Sequence, residues 1–440
     1  MSNKNTIRVS EFEKLYYDNA KPFKQKHWEA LSRYQELQNK KEEKRVDYYR
    51  MLNKGIQFTN YVGVIQAGNL TIEVLPKTDR GKATAANLAV EELEKSDQLT
   101  AKSKQNWHDV LLQMLKECRL LRINHVDKAN LNLKSNSILN IYLDLFLSET
   151  ERLLHEGLAK KYRETEGNKL ALKGQLLFSK NINKNLIHQE RFFVRYSEFN
   201  LNNIFNRLLF KTLCLIPRIS NNPWLADKVN RLLLDFPGLP DCNVSHSTFE
   251  KLVYDRKTER YKEALQISKM LLLNYRPDIT GGSENVIAIL FDMNKLWEEF
   301  VYRRLKKEEI ELDFHVQRQQ SVNFWKTELM YRSKTIRPDI VVNKDGRIIV
   351  VDTKWKILDD LIPADDDLKQ MFTYNLFWNC DRSVLLYPSA QNKSNKGDYH
   401  DFRSEQSFYT KCAIETVSIL DDKQKLDKEL GKKILNKVFS

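Results

Sequence analysis

The stretch that decides the fold is Arg337-Pro338-Asp339-Ile340-Val341-Val342, then Asn343-Lys344-Asp345-Gly346-Arg347, then Ile348-Ile349-Val350-Val351-Asp352-Thr353-Lys354. Two β-branched runs flank Lys344-Asp345-Gly346, a composition that makes a tight turn, so the spacing predicts a β-hairpin. Residues two apart in a strand point to one face, which puts Asp352 and Lys354 on the same side. Across the hairpin, Asp339 near the start of the first strand meets Asp352 at the open end. Two carboxylates and an ammonium then converge. Hard oxygen ligands of this kind hold Mg²⁺, which polarises a phosphoryl oxygen. A lysine beside them can orient an attacking water or offset the charge of a transition state. Without a cation the two carboxylates would repel each other. The chemistry that suits this set is phosphodiester hydrolysis.

An acid-x-lysine triplet alone says almost nothing. The chain also contains Glu42-Glu43-Lys44, Asp255-Arg256-Lys257, Asp367-Leu368-Lys369 and Asp421-Asp422-Lys423. Asp352-Thr353-Lys354 differs in following an unbroken β-branched run, with a Pro-Asp thirteen residues upstream. The plain alternative is a surface hairpin with charged ends. Glu298, on a helix expected at 292–306, is either a third carboxylate for the same site or a solvated helix charge. Gln370 and Tyr374 lie four apart on a helix expected at 366–378, hence on one face. They either hydrogen-bond a DNA backbone or support the lysine; alternatively Tyr374 is a core residue and Gln370 ordinary. Asp365 or Asp366 is the expected N-cap of that helix.

Working outward, the chain has 440 residues, 72 Lys plus Arg, 59 Asp plus Glu and a formal net charge of +13. That length suggests two or three domains. An apolar content of 41% excludes a disordered chain. No apolar run approaches the roughly 18 residues of a membrane span, and the first residues lack a signal-peptide core. The five cysteines, Cys118, Cys214, Cys242, Cys380 and Cys412, never form a C-x-x-C pair. This argues against a disulfide framework or cysteine zinc site and for a reducing, cytoplasmic setting. Residues 160–211 carry eleven basic and four acidic residues with aromatics interleaved, as in Arg191-Phe192-Phe193-Val194-Arg195-Tyr196. Lys173, Lys180, Lys184, Arg191 and Arg195 there are candidate DNA contacts. The alternative is an ordinary solvated basic face of a helical domain.

The sequence divides into three expected regions. The first, 1–160, combines a charged helix at 24–52, an exposed hairpin around Gly68-Asn69, and helices at 103–118 and 138–162. The second, 161–280, is expected to be basic and helical, with helices at 203–216, ending at Pro217, and at 251–272. Gly281-Gly282-Ser283 is the expected break. The third, 281–440, has strands expected at 313–316, 327–332, 337–342, 347–354, 384–387 and 413–419 among its helices. The fold class is α/β (α+β).

Arg337-Pro338-Asp339-Ile340-Val341-Val342 with Val350-Val351-Asp352-Thr353-Lys354 and Gln370-Met371-Phe372-Thr373-Tyr374 resembles the PD-(D/E)xK nuclease superfamily, in the branch with a downstream Q-x-x-x-Y. Tyr61-Val62-Gly63-Val64-Ile65-Gln66 and Leu70-Thr71-Ile72-Glu73-Val74-Leu75-Pro76-Lys77 are similar to the amino-terminal signature of the McrC family. Leu172-Lys173-Gly174-Gln175-Leu176-Leu177-Phe178 and Asp292-Met293-Asn294-Lys295-Leu296-Trp297-Glu298 resemble its middle and pre-nuclease segments. McrC is the nuclease subunit of the McrBC 5-methylcytosine-dependent restriction system.

The resemblance implies a carboxy-terminal restriction-endonuclease-like domain with Asp339, Asp352 and Lys354 as catalytic positions, joined by Glu298, Gln370 and Tyr374. It implies Mg²⁺, replaceable by Mn²⁺, held by Asp339, Asp352, the Thr353 backbone carbonyl and Glu298. The second acid is Asp where the superfamily more often has Glu. The implied partner is a McrB-like AAA+ GTPase hexamer onto which the amino-terminal region docks, and the implied substrate is methylated double-stranded DNA. The family pattern assigns no role to the charged segment 24–52. The chain has no G-x-x-x-x-G-K-[ST] loop, so nucleotide binding and hydrolysis are expected in the partner. No base-flipping pocket is legible either, so recognition of the modified base is also expected there. Two other readings are a non-cutting DNA-binding adaptor that stimulates the partner NTPase, and a stand-alone repair nuclease.

Overall fold

The computed structural model describes residues 5–41, 47–77, 90–120, 137–220, 222–276, 285–326, 333–356, 358, 361–389, 392–401 and 406–440. The expected hairpin is present as Tyr61–Ala67 and Leu70–Leu75, turning at Gly68, whose φ of 55° is one that glycine adopts without cost. It is not exposed. Thr6–Ser10 pairs in parallel with Leu70–Leu75, and Val286–Asp292 pairs antiparallel with Tyr61–Ala67, so the hairpin forms the interior of a five-stranded sheet. Val62 and Val64 face the helices Val90–Glu117 and Ile138–His155. Ile65, Ile72 and Val74 face the opposite side, where Leu31 and Tyr34 of the helix Gln25–Lys41 cover them. A strand buried on both faces carries a near-continuous apolar run and loses the alternation that marks an exposed face.

Two expectations for this region change. The helix expected over 24–52 stops at Lys41, and Tyr49–Leu52 pairs with Gly55–Phe58, which also pairs with Lys14–Tyr16. The strand Val286–Asp292 lies beyond the boundary expected at 280, yet it completes the amino-terminal sheet. Gly281-Gly282-Ser283 lies outside the described residues, as does the strand expected at 327–332.

The middle region is predominantly helical only in its second part. The helix expected at 138–162 ends at His155, and Lys161–Lys169 pairs over nine residues with Phe192–Asn200. Gln175–Leu176 adds a third strand, and the helix Phe178–Asn185 lies between. Lys161–Lys169 is polar on both faces, so no period-two apolar signal exists, and backbone pairing holds it in place of burial. Beyond it, Ile204–Ile219 runs two residues past Pro217, which sits in its last turn. The helix expected at 251–272 narrows to Lys262–Asn274, after the short helix His246–Glu250 and a 3₁₀ turn at Glu259–Tyr261.

The carboxy-terminal part is a six-stranded mixed sheet in the order His315–Arg318, Ile340–Lys344, Arg347–Thr353, Arg382–Ser389, Gln406–Ser418, Ser394–Asp401. The first three strands are antiparallel neighbours; Arg347–Thr353, Arg382–Ser389 and Gln406–Ser418 run parallel. Parallel strands need a crossover, supplied between the first two by the helix Asp365–Trp378. Alternation now sorts the residues. Ile340, Val342, Ile349 and Val351 face Met293–Glu308 and Leu430–Phe439, while Val341 and Val350 face Asp365–Trp378. The result is a layer of helix on each side of one sheet, within a mixed α/β chain. Among the described residues, no helix is long and apolar enough to cross a membrane.

Gly63 tests the amino-terminal sheet. Its φ is 138°, and a Cβ there would run into the carbonyl oxygen of Ile289 on the neighbouring strand. Gly63→Ala should therefore cost about 3 kcal/mol through backbone strain and a displaced strand. Denaturant unfolding of the two proteins measures it.

Candidate active site

Lys344 pairs with Arg347, and Asp345 (φ 51°) and Gly346 (φ 78°) form the turn between them. Two consecutive left-handed residues match the strand twist, and this fixes the register. Ile340 then lies opposite Val351. Continuing that register by one residue sets Asp339 against Asp352. The first strand begins at Ile340 and not at Arg337, because Pro338 has no N–H to give to a ladder. Asp339 thus stands just outside the strand, with its side chain free to turn inward. Its carboxylate accepts hydrogen bonds from the Thr353 backbone N–H (2.8 Å) and from Thr353 Oγ1 (2.9 Å). The Asp339 carbonyl accepts one from Gln319 N–H at 3.1 Å.

Asp352 has the parity of Val350 and so projects toward the helix Asp365–Trp378. Lys354, two residues on, follows it: Nζ lies 2.8 Å from Asp352 Oδ2 and 3.3 Å from Asp367 Oδ1. The same ammonium donates to Gln370 Oε1 at 3.3 Å. Gln370 Nε2 donates to the Tyr374 hydroxyl at 2.7 Å, which donates to the Arg337 carbonyl at 3.0 Å. A continuous polar chain therefore runs from Lys354 across one helix face and back to the segment that carries Asp339.

Burial decides the electrostatics. Asp352 is 2% exposed, and desolvation together with the Asp339 charge pushes its carboxyl up to about 7 against the pull of Lys354. Desolvation also raises Asp339, although the Thr353 hydrogen bonds and Lys354 oppose it. Glu298 is raised by desolvation and then by Asp339, so it feels the same field. Burial works against the Lys354 ammonium, but Asp352 and Asp367 outweigh it, and its pKa rises. Lys354 is therefore a fixed positive charge near neutral pH.

The Lys354 ammonium, 2.8 Å from Asp352 Oδ2, is the positive charge set against this buried carboxylate. Two adjoining carboxylates offset by one shared ammonium make a hard-oxygen donor set that fits a hard cation. Among the described residues no group of three or more His, Cys, Asp or Glu side chains is arranged around a metal position. A cation here would rest on Asp339 and Asp352, with backbone oxygen and water completing its shell, which is the manner of Mg²⁺.

The structure thus brings together Asp339, Asp352, Thr353, Lys354, Gln370 and Tyr374. Glu298 stands at the edge, its Oε1 held by Gln319 Nε2 at 2.9 Å. Tyr374 is both things the sequence allowed, a buried ring at 2% exposure and a hydroxyl in the polar chain. The N-cap position of its helix is Ala364, while Asp365, Asp366 and Asp367 occupy the first turn, where the helix dipole favours acids. Asp367 was missed as a site residue. It is buried and shared by Lys354 and Lys356, and its signal was the helical spacing 367, 370, 374.

The candidate DNA contacts lie elsewhere, on the separate sheet of residues 161–200. Lys180 and Arg195 both pair with Glu166, and Arg191 sits 3.4 Å from Glu190. Lys173 lies over the Tyr196 ring and Lys184 over Phe193. Beside them Phe178 and Ile187 are 71% and 87% exposed. This surface is a β-platform with mixed charged and apolar character, not the basic helix face expected.

Fold and site together define a class: an α/β protein whose mixed sheet delivers a buried carboxylate, a half-buried one and a lysine to one strand end. The family follows from comparison with known proteins. The model of the family described as McrBC 5-methylcytosine restriction system component matches residues 56–388, and the chain belongs to that family. The type IV methyl-directed restriction enzyme EcoKMcrBC of Escherichia coli K12 is 22% identical over 244 residues, spanning 53% of this chain and 69% of that protein. A chain in the refined half-complex from the tetradecameric assembly of Thermococcus gammatolerans McrB AAA+ hexamers with bound McrC has the same fold. Its TM-score is 0.65 at 20% identity, over 98% of this chain and 99% of that one. A second structure, the Thermococcus gammatolerans McrBC complex, matches 69% of this chain and 88% of its own at 21% identity, with a TM-score of 0.49.

The electrostatics set a stability test. A carboxyl raised by folding to about 7 opposes the fold when ionised: the fold is least burdened below the unfolded value of about 4, and stability is lost as pH rises through 7. In metal-free protein, Asp352→Asn should raise the melting temperature by a few degrees at pH 8. The gain should shrink steadily toward pH 4. Melting curves of both proteins across that range check the sign.

Proposed function

We propose that the chain is the Mg²⁺-dependent endonuclease subunit of a McrBC-like, modification-dependent restriction system in the cytoplasm. It cuts methylated double-stranded DNA when bound to a McrB-like AAA+ GTPase hexamer, whose activity it stimulates. The observation that carries this reading is the register that sets half-buried Asp339 against buried Asp352, with Lys354 2.8 Å from the latter. In this reading the carboxy-terminal sheet is a PD-(D/E)xK nuclease domain. The relatives support the partner: the solved assembly with this fold is one of McrB AAA+ hexamers with bound McrC.

Asp339, Asp352 and the Thr353 carbonyl would hold the divalent cation, with Glu298 as an outer carboxylate. When bound, the cation supplies Lewis-acid polarisation of the scissile phosphate. Thr353 orients Asp339 through two hydrogen bonds, so its carboxylate is fixed before any ligand arrives. Asp352 and Asp367 favour the charged form of Lys354. Its role is that of a permanent ammonium that offsets the charge growing on the phosphoryl oxygens and orients the attacking water. Asp367 and Gln370 give that ammonium further partners, so its position would not depend on Asp352 alone.

Asp352→Ala or Lys354→Ala should each reduce DNA cleavage by the assembled complex by about 10²-fold or more. Stimulation of the partner's GTP hydrolysis should be unchanged. Chelation should stop cutting, and Mg²⁺ or Mn²⁺ should restore it. Undiminished cleavage by both variants would leave the adaptor reading in its place. Cleavage of DNA by the purified chain with Mg²⁺ alone would favour the stand-alone nuclease.

A further inference from the structure

Lys354 stands at the end of its strand, where the ladder gives out. Its own N–H still donates to the Leu386 carbonyl at 3.0 Å, but the strand ends at Thr353. What holds the chain beyond it is the next residue. Trp355 has the opposite parity and turns to the other face of the sheet. There it is 5% exposed and packs edge-on against Trp297, ring centroids 5.5 Å apart. Its backbone N–H donates to Asn294 Oδ1 at 3.3 Å, on the helix that carries Glu298. Its indole Nε1 donates to Glu11 Oε1 at 2.6 Å.

Glu11 belongs to the other end of the molecule. It follows the edge strand Thr6–Ser10 of the amino-terminal sheet, and its N–H continues that pairing to the Leu75 carbonyl at 2.9 Å. Its Oε1 also accepts from Lys77 N–H at 2.8 Å. One buried carboxylate oxygen, 3% exposed as a residue, therefore ties the ends of two adjacent strands of that sheet to the residue after Lys354. Nothing about an isolated helix or strand would call for a buried acid here. Burial without a full counter-charge is costly, and Glu11 Oε2 has no hydrogen-bond partner.

We propose that Glu11 and Trp355 form a joint through which the amino-terminal sheet positions Lys354 for the reaction. The two are positioning residues; neither touches the reacting atoms. Trp355 sets the height of the strand end, and Glu11 sets the position of Trp355. Any displacement of the Thr6–Ser10 edge, such as a partner docking on the amino-terminal part would produce, reaches Lys354 through this hydrogen bond. The proposal rests on the nuclease reading given above.

The test uses the full chain assembled with its AAA+ partner and four variants. Glu11→Gln keeps the accepting Oε1; since burial pushes the native carboxyl up to about 7, an uncharged side chain is a close mimic. Glu11→Ala removes the acceptor, Trp355→Phe removes the donor and keeps a ring against Trp297, and the double variant removes both. Cleavage rates at saturating Mg²⁺ should fall tenfold or more in Glu11→Ala and Trp355→Phe. The half-saturating Mg²⁺ concentration should stay within twofold, and the double variant should be no worse than either single one. Glu11→Gln should cut within about twofold of the native protein. Melting temperature and partner stimulation identify variants that simply fail to fold, and Trp355→Phe remains decisive if Glu11→Ala does. Native-rate cleavage by Trp355→Phe, additive losses in the double variant, or an equal loss in Glu11→Gln and Glu11→Ala would overturn the joint. Lys354→Ala in the same assay separates the two claims: if it still cuts, the nuclease reading itself fails.

Discussion

The pairing of Ile340 with Val351 is the constraint on which the rest depends. It is enforced from both sides: by a turn with two left-handed residues and by a sheet buried on both faces. A slip of one residue would send Asp352 and Lys354 to the face occupied by Trp297 and Phe300, and Val351 to the polar one. The apolar residues therefore select the register, and the register in turn forces two carboxylates together. Local packing energy is what holds an electrostatically unfavourable pair in place.

That pair explains its surroundings. Two adjoining acids and one ammonium are not neutral, so the neighbourhood is built to hold charge. Thr353 spends its N–H and hydroxyl on Asp339, and Asp367 and Gln370 share Lys354 with Asp352. Burial raises three of the acids at the site, Asp339, Asp352 and Glu298. Perturbed carboxyls clustered at one place are a mark of functional sites. The helix Asp365–Trp378 serves as crossover, as cover for Val341 and Val350, and as the polar wall, which is why Met371 and Gln370 stand side by side on it.

The hairpin and its site residues were legible because their signals are local. A β-branched run, a turn and a parity rule suffice to bring Asp339, Asp352 and Lys354 to one place. The helix carrying Gln370 and Tyr374 was legible from its period. What the sequence hid was either non-local or without contrast. Lys161–Lys169 has polar side chains on both faces, and its strand character comes from a partner some thirty residues away. Val286–Asp292 reads as the start of the carboxy-terminal region but pairs with Tyr61–Ala67. Asp367 looked like one more acid-x-lysine decoy; its helical spacing with Gln370 and Tyr374 was the one local signal, and tertiary contact with Lys354 and Lys356 gives it meaning. The hairpin at Gly68 seemed exposed because a doubly buried strand carries no alternation to betray its cover.

In the proposed reading, Asp339 and Asp352 are held together to receive one hard divalent cation beside Lys354. An anomalous-scattering map from crystals of the chain grown with Mn²⁺ tests this. A peak should lie in contact with carboxylate oxygens of both Asp339 and Asp352 and be absent when Asp352 is replaced by Ala. A fully occupied Mn²⁺ site elsewhere, with the two carboxylates left bound only to Thr353 and Lys354, would contradict it.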